Sequence, residues 1–429
     1  MALFIALMLT VGLLSVVESL EGLLDQAVGS LPSDPQAARG LALKVLEQAE
    51  VNSRPDLRAR ALYVLGDASL AGNDYAAAMD YLRQAQEAFQ SIGDRHQEAR
   101  CLRRLGDAHY FISNYDSAMG YYLSGLRIFQ ELADKQDEPG LRLAAGHLLV
   151  AVGNVCRADR SLPQALDYYQ QALDVYQNNG FASGIAGVRA NLASTYQDLG
   201  QLEAALKENL AGLEIARKLD DPYMLTILLT NAGAASIYLD QYKEARAYLD
   251  ESMTINRAKN RRRGILFNLV KLGDLEMRQK NWAQSVSIYE EAVELAAQLN
   301  ERSLWAEALE RLAENLSHLG RPDATREAYQ KAIGLRAEIM DEARKKRIQE
   351  LRLVYETEPR TRIVPHEERG PEPIQIEQIA GFVGAPFGAA CVDTGQPGPV
   401  QDSFGSRPES EKRGIKESIP AGFSFVFDR

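Results

Sequence analysis

Between residues 191 and 218 the chain reads Asn-Leu-Ala-Ser-Thr-Tyr-Gln-Asp-Leu-Gly-Gln-Leu-Glu-Ala-Ala-Leu-Lys-Glu-Asn-Leu-Ala-Gly-Leu-Glu-Ile-Ala-Arg-Lys. Apolar residues recur at the spacing of a helix with one buried face, on either side of Gly200-Gln201. Two amphipathic helices joined by a tight turn are therefore predicted. The pattern returns along the chain. Aligned on a small residue in the first helix, the copies stand at Gly66, Gly106, Gly153, Ala193, Gly233, Gly273 and Ala313, in steps of 40, 47, 40, 40, 40 and 40 residues. A fixed period of this size marks a solenoid, in which a helix pair buries its apolar face only by stacking on its neighbours.

Further columns keep the same beat. Twelve residues past the anchor stand Ala78, Ala118, Ala165, Ala205, Ala245, Ser285 and Thr325; nineteen past it stand Ala85, Gly125, Ala172, Gly212, Ser252, Ala292 and Ala332. All are small, as close helix crossings require. Nine past it, Tyr75, Tyr115, Leu162, Leu202, Tyr242, Trp282 and Pro322 are large and apolar in six copies of seven. These side chains plug the gap where the second helix begins. The residues just before them are Asp74, Asn114, Ser161, Gln201, Gln241, Asn281 and Arg321. Four of these are of a type that caps a helix by accepting hydrogen bonds from free backbone N–H groups.

Leu65-Gly66 with Tyr75 and Ala78, and Leu105-Gly106 with Tyr115 and Ala118, resemble the Leu-Gly, aromatic and Ala signatures of the tetratricopeptide repeat family. The resemblance covers about residues 58 to 338. It implies an all-α, tetratricopeptide-type α-solenoid, a right-handed superhelix of helix pairs that binds a protein or peptide in a concave groove lined by the first helices. The period is 40 residues, against about 34 for the family; longer helices and a polar elbow absorb the difference. The family's usual Pro after the second helix is replaced by Gly93-Asp94, Ala133-Asp134, Gly180, Asp220-Asp221, Asn260 and Asn300-Glu301, which end helices by other chemistry. In this the chain is similar to the long-repeat subgroup of bacterial signalling proteins and polarity adaptors. The expected plan is an N-terminal capping helix pair over 20–52, seven repeats over 53–338 and an extension helix over 339–358. Pro32-Ser33-Asp34-Pro35 separates the capping helices, with Asp34 as cap and Pro35 at the first helical position.

Composition narrows the function. The chain has 429 residues, 46% hydrophobic and 25% charged, with a net charge of −11. That balance leaves no basic stripe for nucleic acid. Cys101, Cys156 and Cys391 form no spaced set, so no disulfide framework or zinc site is expected. His96, His109, His147, His318 and His366 include no pair at i, i+3 or i, i+4. No phosphate-binding Gly loop or nucleophile elbow is present. No catalytic set, metal site or cofactor is expected, and the chain is read as a binding protein, not an enzyme.

The ends carry separate expectations. Residues 2–17 are apolar and closed by Glu18, which predicts a signal peptide or membrane anchor over 1–19 and an extracytoplasmic or membrane-anchored protein; a cytoplasmic adaptor is the alternative. Glu350-Leu-Arg-Leu-Val-Tyr-Glu-Thr-Glu358 resembles the stretch that follows the repeats in bacterial tetratricopeptide sensors. In those proteins the resemblance implies a membrane span and an output module of kinase, cyclase or DNA-binding type. From Pro359 that pattern stops. Residues 359–429 hold 9 of the 16 prolines and 9 of the 32 glycines, so a disordered, low-complexity tail is expected. A reading-frame shift near codon 359 is one account, and a naturally soluble protein with such a tail is the other. Within the repeats, the seven extra residues around Asp134–Gly140 are read as an exposed loop, because Pro139-Gly140 is a loop signal. Arg257–Arg263 is read as a solvated elbow.

What remains is a surface. Two residues before the anchor stand Val64, Arg104, Ala151, Asn191, Asn231, Lys271 and Arg311; one past it stand Asp67, Asp107, Asn154, Ser194, Ala234, Asp274 and Glu314. Polar residues recurring on one helix face without a salt-bridge pattern suit recognition of a peptide backbone, and an Asn offers donor and acceptor together. The predicted groove set is Arg104, Asp107, Asn154, Asn191, Asn231, Lys271, Asp274 and Arg311. The expected function is a peptide-binding scaffold, the sensor part of a bacterial signal-transduction protein.

Overall fold

The computed structural model describes residues 20–51 and 53–357, and every regular element among them is an α-helix. The predicted leader over 1–19 and tail over 359–429 lie outside the described residues. Helix α1 spans 20–30 and α2 Pro35–Val51. The seven repeats follow as α3 (Pro55–Ala71) and α4 (Tyr75–Ser91), α5 (Arg95–Phe111) and α6 (Tyr115–Lys135), α7 (Pro139–Ala158) and α8 (Leu162–Asn178), α9 (Ala182–Asp198) and α10 (Leu202–Leu219), α11 (Pro222–Tyr238) and α12 (Tyr242–Ala258), α13 (Arg262–Arg278) and α14 (Trp282–Leu299), α15 (Arg302–His318) and α16 (Pro322–Thr357). The last repeat helix and the predicted extension form one uninterrupted element of 36 residues.

The 40-residue beat is two beats of 20. Left-handed residues stand at Ser53, Asn73, Gly93 and Ser113, and again at Arg160, Gly180, Gly200, Asp220, Asp240, Asn260, Lys280, Asn300 and Gly320. Each ends a helix in the same way. The N–H of the residue after it reaches back over the turn, as in Asp74 N to Ser69 O (2.9 Å), Gln201 N to Tyr196 O (2.8 Å) and Asn281 N to Glu276 O (2.9 Å). That bond satisfies carbonyls a helix end would otherwise leave bare. Side-chain caps are fewer than the sequence suggested. Asp74 and Asn114 accept from Ala77 N and Ser117 N, but Ser161 and Asn281 do not cap; Asn281 instead donates to Glu276 Oε2 at 2.7 Å. With the turn already closed by backbone bonds, the side chain there is free to serve elsewhere. Asp34 caps α2 through Ala37 N at 2.9 Å.

The insertion is not a loop. Helix α6 is four residues longer and α7 three residues longer than their 17-residue counterparts, and only residues 136–138 lie between them. Pro139 is tolerated because the first helical position needs no N–H donor, and Gly140 lies inside the helix. Seven residues are about two helical turns, so each helix keeps its buried face.

Helices pack in series, each against the next in the chain. First helices also touch first helices of the adjacent repeat: α3 with α5, α9 with α11, α11 with α13, α13 with α15. Second helices make no comparable contact with one another. The first helices therefore form the tighter, inner row. The core is a succession of apolar clusters between neighbouring pairs. Six of the seven residues twelve past the anchor are fully buried, and all seven nineteen past it are buried; Thr325, in the last repeat, is half-buried. Among the described residues only α7 is long and apolar enough to cross a membrane, and it is packed between α6 and α8.

Candidate functional site

The anchor is small because a side chain from the second helix lies over it. A Cβ on Gly153 would stand 2.6 Å from the ring of Tyr169, and one on Gly273 2.6 Å from that of Tyr289; on Gly106 it would meet the ring of Tyr122. In each case the phenol then reaches the residue after the anchor: Tyr122 Oη donates to Asp107 (2.7 Å), Tyr169 Oη to Asn154 (2.7 Å) and Tyr289 Oη to Asp274 (2.6 Å). Leu82 and Leu249 fill the same place over Gly66 and Gly233 without that bond. This column, sixteen past the anchor, is legible in the sequence but gains meaning only from the contact.

The inner-row residues fall into two groups. The charged ones are spent within the chain. Arg104 lies 2.9 Å from Asp67 of the preceding repeat and 3.2 Å from Asp107. Lys271 donates to Asp274 at 3.0 Å, and Arg311 stands 3.9 Å from Asp274 and 3.2 Å from Glu314. Burial disfavours charge on Lys271, but the carboxylates of Asp274 and Glu307 outweigh it and raise its pKa. The expectation of polar positions without a salt-bridge pattern is not met at Arg104, Asp107, Lys271, Asp274 and Arg311. Each basic residue two before an anchor finds an acidic residue three further along the same helix, and Arg104 and Arg311 also reach one on the preceding first helix. These pairs neutralise the inner row and lock repeat to repeat.

Of the uncharged residues in the predicted set, Asn154 is also spent, on the Tyr169 hydroxyl; the other two are different. The Asn191 and Asn231 side chains make no hydrogen bond with any described residue. Asn231 is half-buried and Asn191 is 6% exposed. Between them on the same face lie Ile227 and Thr230, one turn earlier on α11. Asn209, fully buried beneath this part of the row, has both amide atoms unpaired. Repeats four and five thus hold unspent amide groups on and beneath this row.

Sequence reasoning missed the columns three and six residues before the anchor, one helical turn from those it chose. They bring Arg100, Arg103, His147, Thr230, Phe267 and Glu307 to the same face. Arg100 lies over the Tyr63 ring, 4.8 Å from its centroid. The Tyr176 hydroxyl is 2.7 Å from His147 Nδ1, and the His147 ring meets Phe181 edge-on. The residue is exposed, yet its packed surroundings, and then the charge of Arg103, lower its pKa to about 4. His109 is buried and stacked on Tyr121, and His318 stacks on Trp282; both serve packing. Among the described residues no group of three or more His, Cys, Asp or Glu side chains is placed to hold a metal ion.

Comparison with known proteins agrees with this architecture. Tetratricopeptide repeat models match residues 265–338 and 59–91. The response regulator aspartate phosphatase J of Bacillus subtilis is 26% identical over 136 residues, a match spanning 31% of this chain and 36% of that protein. The chain thus aligns with little more than a third of that relative's length. Among solved structures, the apo form of RapI superposes with a TM-score of 0.55 at 16% identity, covering 66% of this chain and 99% of that one. The Rap conjugation regulator of plasmid pLS20, solved with the Phr* peptide, gives 0.50 at 15% identity, covering 75% and 96%. At these identities the likeness is one of fold.

Proposed function

We propose that this chain, an array of tetratricopeptide repeats, is a non-enzymatic, peptide-binding regulator whose ligand lies along the inner row and is gripped at repeats four and five. The observation that carries the reading lies in the middle of that row: Asn191 and Asn231 keep unspent donors and acceptors one repeat apart, while Arg104, Lys271 and Arg311 are held by carboxylates of the chain itself. An amide can hold both the N–H and the C=O of an extended main chain, and successive repeats place such amides in series. The peptide seen with the pLS20 Rap regulator, a protein of similar fold, supports the same use of the groove. The apolar run at 2–17 favours a sensor working at or beyond the membrane.

The test uses the full-length chain and a soluble pool of randomised peptides of about fifteen residues, long enough at ~3.3 Å per residue to cross five helix spacings of ~8–10 Å. Captured peptides are identified by mass spectrometry and their affinities measured by fluorescence anisotropy. Replacing both Asn191 and Asn231 by Ala should weaken captured peptides about tenfold or more, the scale of two lost hydrogen bonds, with melting unchanged. Failure of the native chain to enrich any peptide would remove the reading.

A further inference from the structure

Six positions of each first helix face the inner row: ten, six, three and two before the anchor, and one and five past it. Of the charged side chains at these positions in the seven repeats, two make no hydrogen bond, ion pair or ring contact with any described residue: Arg103 in repeat two and Glu307 in repeat seven. Both are half-buried. Arg103 lies three residues before the anchor of repeat two, and its charge is felt at Tyr63, Tyr122 and His147, on three successive repeats. The charge of Glu307 is felt at Lys271 and Tyr289 of the preceding repeat and at Arg336. Between them, in repeats four and five, the inner-row positions six, three and two before the anchor and one past it, among them Ile227, Thr230, Asn191 and Asn231, carry no charge.

Resting on the peptide-binding reading, we infer that the groove is polar end to end and holds its peptide in one direction. A carboxylate of the ligand lies over Arg103 and a basic group over Glu307, with an uncharged middle against the amides of repeats four and five. A half-buried charge with no hydrogen-bonded partner is compensated only in part by more distant charges, and an opposite charge from the ligand supplies the missing partner. A peptide laid in reverse would set acid against Glu307 and base against Arg103, so the same two residues exclude the wrong orientation. Neither residue supports the fold through a pair, so both are free for recognition. The carboxylate is either an acidic side chain or the peptide's own C-terminus; the chemistry at Arg103 is the same.

The same peptide pool decides it. Peptides captured by the native chain should carry an acid towards one end and a base towards the other. Arg103→Gln should erase the preference for the acid and leave that for the base, and Glu307→Gln should do the converse. Each change should weaken the best peptide about tenfold, as expected when a charge-assisted hydrogen bond is lost, and leave the melting temperature unmoved. Arg103→Glu combined with Glu307→Arg should select peptides with the charge order reversed. Amidating the C-terminus of the best peptide separates the two sources: a tenfold loss assigns the terminal carboxylate, and no loss assigns a side chain. Captured peptides with no charge order, or an order indifferent to both substitutions, would overturn the directional groove while leaving peptide binding intact. No capture at all would overturn both.

Discussion

A glycine at the anchor is an accommodation to one neighbour. The Tyr122 ring occupies the space a Cβ on Gly106 would need, and its hydroxyl is tied 2.7 Å away to Asp107. Gly106→Ala must push that ring aside inside a filled core, and should cost about 1–3 kcal/mol, read as a lowered midpoint in urea. Gly120→Ala is the control: no atom lies within 4 Å of the added carbon, and within helix α6 alanine should stabilise by up to about 1 kcal/mol. The small anchor was legible in the sequence because size recurs with the period. The column sixteen residues on is as regular, with Tyr or Leu in six copies of seven and Asn209 in the other, but the sequence does not show that it packs on the anchor. Only the contact shows that large residues sit over Gly, whereas Ala193 and Ala313 go with Asn209 and the exposed Tyr329.

Among the elements, α6 and α7 show how a local signal misleads. Pro139-Gly140 reads as a loop by its residue types, yet Pro is at home in the first turn of a helix. The arithmetic of turns was the better guide: four residues added to one helix and three to the next hold both faces in register. The extension also opens a cavity of about 510 Å³ lined by Gln130, Arg142, Leu149 and Asn179. Deleting residues 135–141, with Ala133→Gly to supply the left-handed turn, should restore the 40-residue step. The shortened protein should stay folded, with circular dichroism per residue unchanged within about a tenth, because the remaining junction then matches Gly93-Asp94. Loss of cooperative melting would show that the extension is needed to join repeats two and three. Helix ends elsewhere were foreseen in place but not in mechanism: side chains were expected to cap, whereas backbone bonds around left-handed residues do most of that work.

For the molecule as a whole, periodicity made the solenoid and its inner row readable, because a repeat must present the same face each time. Which inner residues stay free was not readable. Whether Arg104 or Arg103 is spent depends on a carboxylate one repeat away, and pairing across repeats leaves no trace in either residue alone. The described core is likewise divided into clusters of two or three consecutive pairs, one running through repeats two to four and another through repeats five to seven, as expected where each pair packs only on its neighbours.

That each helix and its turn take up 20 residues from Ser53 to Ser113, and again from Arg160 to Gly320, makes the chain divisible. A left-handed residue such as Gly200 or Asp240 is a join at which the backbone arrives and leaves on the same course. Excising residues 201–240 splices Gly200 to Gln241, which occupies the place of Gln201 in the next copy. The product should melt as a folded six-repeat protein in a thermal scan; an unfolded one would show that the copies are not interchangeable. At the level of the gene, unequal crossing-over between copies can lengthen or shorten the protein in whole units, and so change the reach of its groove without redesigning any part of it.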